Sequence, residues 1–286
     1  MKRTIIVNEE QSKRLHVYLS EHEIDSNIVR AYSFDWDDNI MTMPTTIKLL
    51  QNINGEWTPV DVSTNKFAEV RNDENYKLDD DAFINFREDE TFLNDLKIAI
   101  ENEDFAPSFE KFKEALLYAN PISIITARGH TPKVLREGMN FVIANTFTED
   151  EIMSMVNNII ERNPEVSGGS PIDVLDFYLD SHDYHTVTSK EFSDRFGTEH
   201  GSASNPEENK KIAFRDYVGR VILSTRKMID GNYAGLSIGF SDDDLGNIEA
   251  MEGFIDEELK YEFPEVNFTI YDTSEGGNKK IVIKKA

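Results

Sequence analysis

The chain has 286 residues and no cysteine. That absence excludes disulfides, thiolate catalysis and cysteine-ligated zinc, and it fits a reducing compartment. There is no apolar run of about 18 residues or more, so no segment reads as a membrane span. The opening Met1-Lys2-Arg3-Thr4-Ile5-Ile6-Val7-Asn8 is basic but too briefly apolar for a signal peptide, and the expected location is cytoplasmic. Basic residues are scarce: 30 Lys and Arg stand against 54 Asp and Glu, a net charge of -24. No Lys/Arg-rich run forms a local basic groove. Such a surface repels a phosphate backbone, so nucleic acid is not an expected partner; the acidity serves solubility. No internal repeat is present.

What is there is ordinary for a globular protein: 39% of residues are hydrophobic and 29% charged. The length suits one large domain or two modest ones. The organising stretch is Ala31-Tyr32-Ser33-Phe34-Asp35-Trp36-Asp37-Asp38-Asn39-Ile40. Its apolar start reads as a buried strand. Carboxylates at the strand end would lie at the mouth of a sheet, where open α/β folds place ligands. Side chains two apart on an extended strand point the same way, so Asp35 and Asp37 would face one ligand. Clustered carboxylates repel one another unless a cation neutralises them. A hard, oxygen-seeking metal such as Mg2+ meets that need. Taken alone, the same residues also read as a polar turn after a strand.

Residues 1–30 read as an N-terminal strand and helix added to the main body. After Met41, Thr45 to Leu50 and Trp57 to Val62 read as strands joined by a turn at Asn54-Gly55. Asp79 to Asp81 is a solvated acidic loop. Helices are expected over Asp89 to Ile100, after Pro107-Ser108, after Thr131-Pro132, and from Thr148 to about Arg162. Pro121 to Thr126 is a second apolar strand, followed by Ala127-Arg128-Gly129. Val174 to Leu179 reads as a third strand. A helix starts at Glu207, with Lys210 and Lys211 in its first turn. Leu236 to Phe240 is a fourth strand, ending at Ser241-Asp242-Asp243-Asp244. A helix over Ile248 to Leu259 and a closing hairpin of Asn267 to Tyr271 with Lys280 to Ile283 follow. Strands alternating with helices point to an α/β fold: a Rossmann-like, mainly parallel sheet flanked by helices. Phe83, Phe86 and Phe92 read as core rather than as a binding platform. His182 and His185 flank Asp183, but no third ligand is evident for a metal.

Four polar elements stand in order: Asp35-x-Asp37, Thr126, Lys210/Lys211 and Asp242-Asp243. In a parallel sheet, strand ends of one sense gather along one edge. With Phe34-Asp35-Trp36-Asp37, Ile124-Ile125-Thr126-Ala127-Arg128-Gly129, Asn209-Lys210-Lys211 and Phe240-Ser241-Asp242-Asp243, the chain resembles the haloacid dehalogenase-like hydrolases. Asp244-Leu245-Gly246-Asn247 extends the likeness, which runs from about Tyr32 to Glu252. Asn39 departs from it, standing where Thr or Val is usual. Lys210 is favoured over Lys211 because Ala213 and Phe214 follow it at three and four residues.

The resemblance implies a Mg2+-dependent phosphohydrolase acting on a small phosphorylated substrate. Asp35 would be the nucleophile, forming an aspartyl-phosphate, and Asp37 would protonate the leaving group and then activate water. Mg2+ would be held by Asp35, the backbone carbonyl of Asp37 and Asp242. Asp243 would complete the acidic shell, through water or by orienting Lys210. Thr126 and Lys210 would bind the phosphoryl oxygens, and Arg128 is a further candidate for contact with substrate. Cap-like insertions are expected at about 41–105 and 145–205, within a body spanning 31–286, because the intervals between motifs exceed plain connections. A phosphotransferase on the same fold is one alternative. The other is a non-enzymatic scaffold in a larger assembly such as a virus particle, which would make the protein virion-associated.

Overall fold

The computed structural model describes residues 28–228 and 235–285; the expected N-terminal strand and helix lie outside the described residues. A six-stranded sheet forms the centre. Its strands are β1 (Ile28–Phe34), β5 (Ile122–Thr126), β6 (Asp183–Thr186), β7 (Gly235–Asp242), β8 (Val266–Asp272) and β9 (Lys279–Val282). They lie in the order β6-β5-β1-β7-β8-β9. All neighbours pair in parallel except β8 and β9, which form the closing antiparallel hairpin. The α/β architecture with a mainly parallel, Rossmann-like sheet is therefore as expected from the sequence.

Both faces of the sheet are covered, as a parallel sheet requires. One core contains Tyr32, Phe34, Ile122 and Ile124, packed against helices α2 (Asp89–Glu101), α3 (Phe109–Leu117), α4 (Pro132–Thr146), α5 (Glu149–Arg162) and α6 (Pro171–Asp180). The Phe112 ring meets Phe34 edge-on at 5.5 Å. The other core contains Ala31, Ile125, Leu236, Ile238 and Phe240. It is closed by α7 (Lys190–Phe196), α8 (Pro206–Met228) and α9 (Leu245–Phe254). Each buried aromatic or branched side chain contributes about 1.5–3 kcal/mol. The helix starts follow their caps: Thr131 with Pro132, and a capping box of Thr148 with Glu151.

A second, three-stranded sheet, β3-β2-β4, is built from β2 (Thr46–Ile53), β3 (Glu56–Ser63) and β4 (Tyr76–Leu78). The β2–β3 turn carries positive φ at Asn54 (54°) and Gly55 (92°), the conformation that an Asn-Gly hairpin turn needs. Helix α1 (Thr64–Val70) follows, and Ile47, Leu49, Val62, Val70, Ala82 and Phe86 form a small separate core.

One expectation is corrected. Val174 to Leu179 is not a strand but part of α6. Ser170 and Asp173 form a capping box with Pro171 in the first turn, and Val174, Tyr178 and Leu179 share the buried face. A short apolar run does not by itself distinguish strand from helix. The strand is instead Asp183–Thr186, a polar four-residue edge paired to β5. The interval 145–205 holds β6 and the core residues Met155, Val156 and Ile159. Within 41–105, the small core runs from Ile47 to Phe86, and Phe92, Leu96 and Ala99 of α2 belong to the main core.

Candidate active site

The register of the sheet brings three of the motifs together. Phe34 pairs with Ile124 of β5 and with Ser241 of β7. Asp35, Thr126 and Asp242 therefore emerge side by side at the carboxyl ends of adjacent strands. From β1 the chain passes to β5 on one side, and β7 lies on the other. This is the reversal point where open α/β sheets bind ligands. The Asp35 N–H donates to the Ser241 carbonyl (2.9 Å), extending the pairing one residue past β1.

Lys210, the fifth residue of α8, is 1% exposed. Its Nζ lies 2.6 Å from Asp242 Oδ2 and 3.3 Å from Asp35 Oδ2. Burial opposes its charge, but Asp242 and Asp35 more than compensate, and its pKa is raised. Lys211 turns outward to Glu208 at 2.7 Å. Of the two lysines, Lys210 is the one that enters the site.

Asp35, Asp242 and Asp243 each bring a carboxylate oxygen within 4.8 Å of the others. Both oxygens of Asp242 are engaged, with one lone pair of Oδ2 to spare: Oδ2 accepts from Lys210, and Oδ1 accepts from the Asp244 N–H (3.0 Å) and the Asn247 amide (3.0 Å). The lysine is thus held by Asp242, not by Asp243. Asp35 Oδ1 is buried without a hydrogen-bond partner. Burial pushes the Asp35 carboxyl up to about 7, with Lys210 opposing and Asp242 and Asp37 reinforcing. Burial, then Asp242 and Asp35, push Asp243 up to about 9. Three carboxylates against one lysine, with an orphaned buried oxygen among them, are a donor set that fits a hard divalent cation.

Asp37 is held differently. Arg128 donates Nε to Asp37 Oδ2 (2.7 Å) and Nη2 to Oδ1 (2.6 Å). Arg128 Nη2 also reaches the Thr45 hydroxyl (2.9 Å), which donates to Asp95 (2.5 Å). The guanidinium packs 4.8 Å from the Phe86 ring centre and 5.2 Å from that of Phe92. Arg128, a candidate substrate contact by sequence, here forks the second aspartate. Thr126 is buried, and its Oγ1 accepts weakly from the Arg128 N–H (3.4 Å).

Asp38 has φ 52° and accepts from Thr64 of the small unit. A left-handed turn tolerates Asp better than most side chains. Asn39 is fully buried. Its amide donates to the Ser241 carbonyl (2.7 Å), and its oxygen accepts from the Ser241 hydroxyl (2.9 Å) and Thr273 (3.3 Å). It fastens the turn after β1 to the end of β7.

A cavity of about 850 Å³ opens above these residues. Asp35, Asp37, Thr126, Lys210 and Asp243 line its floor, and Thr64, Phe67, Phe83 and Phe86 of the small unit line its roof. The small unit is tied down by Thr64 to Asp38, by Arg71 to Asp244 (3.1 Å), and by the Gly129 N–H to the Phe86 carbonyl (2.9 Å). Phe92 is core as expected, whereas Phe83 and Phe86 also face the cavity. His182 and His185 stay apart from the acidic cluster. Burial lowers both to about 3; the first lies 4.3 Å from the Tyr178 ring and the second 3.9 Å from Asp216. No helix among the described residues is long and apolar enough to cross a membrane. Sequence reasoning missed Thr45 and Asp95 as supports, because each acts through another side chain and neither falls in a motif; Asn247 stands in the stretch after the acid pair, but its bond to Asp242 has no signature there. Comparison with family models, with curated proteins and with solved structures finds no match to this chain.

Proposed function

We propose that the protein is a Mg2+-dependent phosphohydrolase of the haloacid dehalogenase-like type, acting on a phosphomonoester. The observation that carries this reading is the packing of Asp35, Asp242, Asp243 and Lys210 into one charged cluster on the floor of a cavity. Asp35 attacks phosphorus, the bond to the leaving oxygen breaks, and an aspartyl-phosphate forms. Asp37 gives its proton to the leaving oxygen. Both its oxygens accept from Arg128, one hydrogen bond each, which leaves each oxygen a second lone pair to carry the proton while the fork holds the side chain in place. Asp37 then takes a proton from water, which attacks the aspartyl-phosphate and releases inorganic phosphate. Lys210 and the Thr126 hydroxyl meet the phosphoryl oxygens as charge develops on them. Mg2+ held by Asp35, Asp243, Asp242 and the Asp37 carbonyl would neutralise the carboxylates and orient the nucleophile.

The test is phosphate release from a panel of phosphomonoesters, with and without Mg2+, by wild type and Asp35→Asn. Mg2+-dependent release by wild type alone is expected. No release from any class, or equal release by Asp35→Asn, would sink the reading.

A further inference from the structure

The cations lining the cavity are almost all spoken for. Lys210 is held by Asp242, Arg128 by Asp37, and Arg71 by Asp244; Lys279 lies 3.8 Å from Asp272. Arg87 is the exception. It lines the same cavity, and no hydrogen bond or ion pair engages its guanidinium among the described residues, in a chain carrying 54 acidic residues. Arg71, Arg128, Arg136, Arg195, Arg215 and Arg220 each pair with a carboxylate, whereas Arg87 faces the cavity without one.

Its placement is specific. Arg87 follows Phe86, and its N–H donates to the Ile84 carbonyl (3.0 Å), which ends the last turn of the small unit. The side chain then passes two glycines. A β-carbon added at Gly129 would lie 3.3 Å from Arg87 Cγ, and one at Gly201 would lie 3.6 Å from Nη2. Gly201, at φ 64°, lets the chain before α8 turn beside the guanidinium where other residues would be strained. The stem thus rests on the loop after Thr126 and the head beside the segment leading to Lys210. Ser204 and Asn205 complete the same wall.

We propose that Arg87 is a specificity-determining residue that binds a second anionic group of the substrate, so that the preferred substrates are phosphomonoesters carrying a further phosphate or carboxylate. The inference rests on the phosphohydrolase reading. The Lys210 end of the cavity takes the phosphoryl group that is transferred, and Arg87 takes the distal anion. A guanidinium suits both kinds of anion because it presents a planar fork of donors. The cavity, at about 850 Å³, has room for such a molecule, and the Phe67, Phe83 and Phe86 side chains cover its uncharged middle.

The test compares simple alkyl phosphates with two matched series, alkanediol bisphosphates and carboxyalkyl phosphates of increasing chain length. Wild type and Arg87→Gln are measured for kcat and KM. Binding of the same compounds to Asp35→Asn, with and without Arg87→Gln, is followed by calorimetry. The expected result is a KM lower by about tenfold or more for at least one doubly anionic series, with an optimum chain length. Arg87→Gln should erase that advantage and leave kcat and KM on alkyl phosphates within about twofold, and Arg87→Lys should restore part of it. Which series benefits tells phosphate from carboxylate. The inference is overturned if neither series outperforms alkyl phosphates, or if Arg87→Gln weakens all substrates alike. Failure of the phosphohydrolase reading looks different, since wild type then turns over no alkyl phosphate at all.

Discussion

Arg128 grips Asp37 through two hydrogen bonds, 2.7 and 2.6 Å long, from a guanidinium that is itself buried between Phe86 and Phe92. The grip positions the second aspartate of the Asp-x-Asp pair, and it joins the small unit to the main body through Thr45 and Asp95. Arg128→Lys keeps the charge but loses the fork. Steady-state kinetics on a phosphomonoester should show kcat down about 10–100-fold with KM little changed, the pattern of a lost transition-state interaction. A rise in KM at constant kcat would mean instead that Arg128 contacts substrate directly.

The two acids at the end of β7 should part company in thermal unfolding. Asp242 is the main partner of a fully buried lysine. Asp242→Asn is expected to cost about 3–5 kcal/mol, the penalty for leaving a buried charge poorly paired. Asp243 is forced by burial and by Asp242 and Asp35 up to about 9, so an amide there should leave the metal-free protein within about 1 kcal/mol of wild type. Mg2+ should raise the melting temperature of wild type, as any ligand of the native state does, and should fail to do so for Asp243→Asn. Equal destabilisation by both substitutions would contradict this division of roles.

Acid should destabilise the fold through its buried histidines. Burial lowers His182 from 6.5 to about 3 in the folded chain. Between those values the unfolded chain binds a proton that the folded chain does not, so stability is complete above about pH 6.5 and is lost as the pH falls toward 3. At pH 5 the loss from this one group is on the order of 2 kcal/mol. Denaturant unfolding at pH 7 and pH 5 should show a smaller pH-dependent loss for His182→Gln than for wild type. An identical loss in the two proteins would show that His182 does not titrate with unfolding.

The sheet was readable because its strands are short apolar runs ending in polar residues, and the motif spacing put Asp35, Thr126 and Asp242 on strands that pair. Lys210 was separable from Lys211 by the apolar residues that follow it on one helix face. Strand β6 was not readable, since Asp183–Thr186 is a polar edge held by pairing rather than by its own pattern, while the apolar residues just before it belong to a helix. The fork on Asp37 was also hidden. It depends on Arg128 lying between two aromatic rings, a relation between segments about 40 residues apart that no local pattern records. Asn39 departs from the motif that the sequence resembles, yet its amide does a local job, joining Ser241 and Thr273 to the turn after Asp37. A buried amide with both ends satisfied is stabilising rather than a defect.

The most direct measurement is to trap the phosphoenzyme. Wild-type protein with Mg2+ and a phosphomonoester that it hydrolyses would be acid-quenched within the first turnovers, then digested and mapped by mass spectrometry. The nucleophile assignment predicts one acid-stable, base-labile phosphoryl group on Asp35, absent from Asp35→Asn. Phosphate release with the label on another residue, or with Asp35→Asn as active as wild type, would contradict it.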